Sequence, residues 1–113
     1  MSQWTGRVTL TGTGLQTLVL GGFQPTWATF IVVDDDGESF GTTDGTRQNV
    51  AWKFNDGTTR DSDEVNTHCI KLPAGADPTT PKILAAFDSF TATGMKLNVT
   101  NFNSTKVKIL CGN

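Results

Sequence analysis

His68 and Cys69 stand side by side in Thr67–Leu72, and a thiol beside an imidazole is the one pairing in this chain that could suggest nucleophilic catalysis. The spacing argues against it. Their surroundings, His68, Ile70 and Leu72 alternating with Cys69 and Lys71, read as a strand, and adjacent strand residues point to opposite faces. His68 is the chain's one histidine, so it reads as structural. The second cysteine, Cys111, lies far away in Val107–Cys111, and the two match no zinc or redox spacing. Both are expected as buried free thiols. A disulfide would require their two strands to be neighbours.

Carboxylates offer two further chemistries. The glutamates Glu38 and Glu64 both sit in turn-rich polar stretches, where a glycosidase pair framing a cleft is not expected. Asp34, Asp35, Asp36 and Glu38 cluster hard oxygen ligands, as do Asp61, Asp63 and Glu64, so calcium is carried as an alternative. The order Asp-Asp-Asp-Gly-Glu is not that of an EF-hand, and a solvated turn is the main reading. There is no G-x-S-x-G, P-loop or HExxH. The sequence therefore predicts no enzyme, no catalytic residues and no cofactor.

Charge narrows the partners. The net charge is −2, and a nucleic-acid binder would need a basic footprint, so no nucleic acid is expected. Acidic residues concentrate between Asp34 and Glu64, whereas after Asp88 only Lys96, Lys106 and Lys108 are charged. No run approaches the length of about 20 apolar residues that a membrane span needs, so no membrane is expected. The opening MSQWTGRVTL lacks the apolar segment of a secretory signal, which predicts synthesis in a cytoplasm. Trp4 lies in that polar opening. Met1–Gly6 is a candidate arm, and Gln3, Trp4 and Arg7 are the candidate interface residues, because a tryptophan outside a core often anchors a partner.

The elements that must position these residues are short. Arg7–Leu10, Gln16–Leu20, Thr26–Val33, Val50–Phe54, His68–Leu72, Ile83–Phe87, Met95–Thr100 and Val107–Cys111 are apolar or alternating runs, broken by Gly, Asn, Asp and Pro. Thr26–Val33 is apolar on both sides and predicts a strand covered on both faces. Asp34–Gly37 predicts a turn through positive φ at Asp-Gly, and Gly12–Gly14 predicts a hairpin. Thr58–Asn66 predicts a polar loop, and the prolines of Pro73–Pro81 exclude a central strand. Pro81–Phe87 is read as strand rather than short helix. The sum is one all-β domain over residues 1–113, with about eight short strands in an antiparallel β-sandwich or jelly-roll-like arrangement.

Two stretches carry a resemblance. Gly12–Val33, GTGLQTLVLGGFQPTWATFIVV, resembles a pattern of tailed-phage virion proteins in which a Gly-rich turn and a strand lead into Gly-Phe-x-Pro and a second strand. Phe87–Cys111, FDSFTATGMKLNVTNFNSTKVKILC, is similar to the closing segment of that family. The resemblance implies a β-sandwich that displays loops, assembles with copies of itself and has no catalytic residues. The sequence shows no coiled-coil or collagen-like shaft. The resemblance therefore implies a capsid decoration (cement) protein in the virion, made in the host bacterial cytoplasm. Its partners would be itself, as a trimer, and the major capsid protein. The alternative it implies is a tail-tip or tail-fibre module that binds a host-surface receptor or glycan.

Overall fold

The computed structural model describes residues 1–58, 60–74 and 80–113. These form ten strands and no helix: β1 (Gln3–Val8), β2 (Gly14–Val19), β3 (Trp27–Val33), β4 (Gly37–Thr43), β5 (Gln48–Asn55), β6 (Arg60–Val65), β7 (Ile70–Leu72), β8 (Ile83–Thr91), β9 (Gly94–Asn101) and β10 (Val107–Gly112). They make two antiparallel sheets packed as a β-sandwich. One sheet has the order β1-β10-β3-β4-β5-β6, the other β2-β9-β8-β7. Every alternating run expected as a strand contributes to one, including Ile83–Phe87, which lies in β8. Of the proline-rich segment Pro73–Pro81, residues 75–79 lie outside the described ones.

The inner faces carry the core. Phe30, Val32, Ile109 and Cys111 from the larger sheet meet Leu18, Ile70, Ile83, Met95 and Leu97 from the smaller. Period-two alternation puts them there: Met95, Leu97 and Val99 are buried while Asn98 and Thr100 are exposed. Both termini lie in the larger sheet. The Ser2 N–H donates to Asn113 Oδ1 at 2.8 Å, and the Asn113 N–H returns to Ser2 O at 3.2 Å.

Several local expectations change. About eight strands become ten because β4 and β6 carry no apolar alternation. The inward face of β4 is Gly37, Ser39, Gly41 and Thr43. It is small because β7 crosses it closely. A Cβ added to Gly41 would fall 1.6 Å from the Cys69 carbonyl oxygen, and the Lys71 N–H donates to Ser39 Oγ at 3.0 Å. The polar loop expected over Thr58–Asn66 contains β6, whose residues Arg60 to Glu64 are exposed. The larger sheet has six strands against four, and this edge carries its charges outward. Charge is how an open edge resists pairing with other chains.

The β3 expectation is corrected too. Ala28, Phe30 and Val32 are buried, but Trp27, Thr29 and Ile31 are only partly covered and Val33 is 59% exposed. Gly12–Gly14 is no hairpin: β1 and β2 belong to different sheets, so the turn crosses the sandwich. The turn at Asp34–Gly37 forms as expected, though not through positive φ, which Gly37 lacks. Its Asp34 side chain does the work, with Oδ1 accepting from the Gly37 N–H at 2.8 Å and the Asp36 N–H at 3.3 Å.

Candidate interaction surface

The catalytic candidates separate. His68 and Cys69 lie in the bend before β7 rather than within a strand. The imidazole is half-buried, with Nδ1 2.8 Å from Thr67 Oγ1. Burial, and then the nearby Lys71 charge, hold its pKa below the usual histidine value. The Cys69 thiol is fully buried, 3.7 Å from the Ala85 carbonyl, and burial pushes its pKa well up. A neutral, enclosed thiol is a poor nucleophile. Cys111 is buried and free as well, its thiol also pushed up by burial. Cys111 lies in β10 of the larger sheet and Cys69 in the bend before β7 of the smaller, so the two are not on paired strands.

The acidic turn is already committed. Besides capping its own backbone, Asp34 pairs through Oδ2 with the Lys82 ammonium, and Asp36 Oδ1 lies 3.3 Å from the same nitrogen. Lys82 thus offsets part of the negative charge of the two carboxylates and occupies their oxygens. Its pKa is raised, chiefly by the hydrogen bond to Asp34. Asp35 is exposed, and Glu38 stands opposite Lys53 across β4 and β5. Among the described residues no three acids, histidines or cysteines group as metal ligands.

The N-terminal candidates divide by face. Gln3–Gly6 are part of β1, hydrogen-bonded in register with β10, so only Met1 and Ser2 of the expected arm precede the sheet. Trp4 points inward and packs against the core. Its ring lies along Gly6, where an added Cβ would come within 2.6 Å of it. Trp4 therefore has the local core that the sequence did not reveal. Gln3 and Arg7 point outward and are exposed.

Arg7 opens a row that crosses the outer face of the larger sheet. The register aligns Arg7, Lys108, Ile31, Phe40, Ala51 and Glu64, one from each strand in sheet order. All are exposed except the half-buried Ile31. Phe40 is 45% exposed, and Leu110 (39%) and Val33 (59%) flank the row. Beside Phe40 and Ala51 the face dips into a shallow hollow of about 320 Å³ that Glu64 also borders. Arg7 and Lys108 are directly opposite like charges, an arrangement that destabilises a sheet unless an anion lies nearby. Among the described residues neither joins an ion pair, nor does Glu64.

This row was missed in the sequence. Phe40 is a lone aromatic in Gly37–Thr43, and the available signal was a large apolar residue amid glycine, serine and threonine. Among the described residues no helix is long and apolar enough to cross a membrane. No family model, no curated protein and no solved structure matches the chain.

Proposed function

We propose that this chain is a virion structural protein of a tailed phage, and that it acts as a capsid decoration protein by laying the outer face of its six-stranded sheet on the assembled shell. The observation that carries the reading is the apolar stretch around Phe40, with Val33 and Leu110, on a face flanked by unpaired charges. Contiguous exposed apolar residues rimmed by charge mark interaction surfaces. The resemblance of Gly12–Val33 and Phe87–Cys111 to phage virion domains supplies the identity of the partner, the major capsid protein. On the shell the protein stands as a trimer. A partner that binds only the assembled shell stabilises it by mass action, without catalysis or cofactor.

The experiment is a comparison of particles with and without the protein. Particles lacking it assemble but rupture at lower temperature, and purified particles carry it in hundreds of copies on the head. Phe40→Glu is lost from particles while the free domain keeps its β-rich circular dichroism. A handful of copies at the tail tip, with adsorption lost on removal and heads as robust as before, would replace decoration by a receptor- or glycan-binding tail module. Trp4→Ala is unsuitable for this test because Trp4 is partly buried against the core, so its loss would also disturb the fold.

A further inference from the structure

The row across the outer face has a property that neither the fold nor the shell reading requires. From β1 to β6 it runs cation, cation, apolar, apolar, small, anion: Arg7, Lys108, Ile31, Phe40, Ala51, Glu64. A turn of 180° about an axis parallel to the strands, lying above the sheet between β3 and β4, reverses that order. It sets position one against position six, two against five and three against four.

We propose that two copies of the free protein pair face to face through this surface, about that two-fold axis. Arg7 of each copy then meets Glu64 of the other, and Ile31 meets Phe40 at the centre. Lys108 lies over Ala51, where the shallow hollow of about 320 Å³ receives its aliphatic stem and leaves the ammonium near Glu64. The smallest side chain of the row is thus opposite one of its longest.

Charge selects this axis over the alternative. A two-fold axis running across the strands would lay β1 on its own copy and set Arg7 and Lys108 against themselves. The neighbouring charges, Glu38 and Lys53, stand opposite one another within the sheet, so Arg7, Lys108 and Glu64 are the unbalanced charges of the row. The strand-parallel axis matches both ends at once, and an isologous contact satisfies each match twice. It also relieves the Arg7–Lys108 opposition that the single chain leaves uncompensated.

The test uses the full chain free in solution, with mass measured by light scattering on a sizing column. The 12.1 kDa chain runs as a dimer at low salt and moves toward monomer as salt is raised. Arg7→Glu alone and Glu64→Arg alone each weaken association by about tenfold, because each sets like charges together at two symmetric places. An equal mixture of the two variants associates again, as does the double variant. Phe40→Glu is monomeric, with wild-type circular dichroism. A monomer at millimolar concentration, a trimer, or single variants that the mixture fails to rescue would overturn the pair. So would a mass that grows without limit and ignores Phe40→Glu, which would mean edge-to-edge addition through β1 and β6. The shell and the second copy use the same face, so the pair opens when the shell binds; the pair is judged on free protein and decoration on particles, and either can fail alone.

Discussion

The two sheets meet in two different ways. Under β10, β3 and β9 they are held apart by large apolar side chains, with Phe30, Ile109 and Leu97 fully buried between them. Under β4 and β7 they come to backbone contact, with Gly41 against the Cys69 carbonyl and Ser39 bonded to the Lys71 N–H. The first region is stabilised by the area it removes from water. The second is stabilised by shape and by a part-buried hydrogen bond. Similar spans of strand can therefore tolerate opposite kinds of change: the wide region resists loss of volume and the narrow one resists its addition.

The sharpest break is Gly41→Val. With an added Cβ 1.6 Å from a carbonyl oxygen, β4 and β7 must part. We expect a loss of more than about 4 kcal/mol, read as failure to fold or collapse of the urea midpoint. A variant within about 1 kcal/mol of wild type would mean the narrow region yields freely. Next is Ile109→Ala in the wide region, expected to cost about 3 kcal/mol by equilibrium unfolding, since it leaves a cavity between the sheets. Ser39→Ala returns to the narrow region with almost no change of volume. It strands the Lys71 N–H and should cost about 1–2 kcal/mol. A neutral result there would reduce the narrow region to shape alone.

Alkali tests both the interior and its rim. The Cys69 and Cys111 thiols are raised from 9.0 by burial, so the unfolded chain releases their protons first. Stability should be level below that value and fall as pH rises above about 9. Lys82 is raised from 10.5, and its contribution is likewise present below that value and lost as pH climbs through the folded value. Urea titrations at pH 8 and pH 10 measure the thiol slope, and Cys69→Ala should make it shallower; the Lys82 contribution is lost only above that interval. Smallest of all is Gly12→Ala, in the turn between the sheets, where nothing lies within 4 Å of an added Cβ. A melting temperature within a degree or two of wild type is expected, in contrast to Gly41.

Alternation made most of the strands readable. Met95-Lys-Leu-Asn-Val99 and Val50-Ala-Trp-Lys-Phe54 declare a buried side without reference to the rest of the chain, because a strand's side-chain period is two. The turn at Asp34 and the free cysteines were equally open to reading. The packing of Trp4 was not legible for a reason of distance: Gly6 lies beside its ring within β1, but Gly21, beside its Cβ, arrives only when the link from β2 to β3 is brought onto β1.

What a residue does against its own neighbours is written locally, and that covers the all-β class, the strand runs and the polar turns. What it does against a strand thirty residues away is not. Gly37–Thr43 has no apolar side chain to bury on its inner face, so nothing within it announces a strand; its ladders to β3 and β5 give it that role, and the Cys69 carbonyl and the Lys71 N–H pressing on its inner face keep that face small. Arg60–Val65 becomes a strand only through its ladder to β5. The outer row exists only because the register of six strands, drawn from both ends and the middle of the chain, sets Arg7, Phe40 and Glu64 on one line. Register is a property of paired backbones, and pairing is fixed when the sheets close.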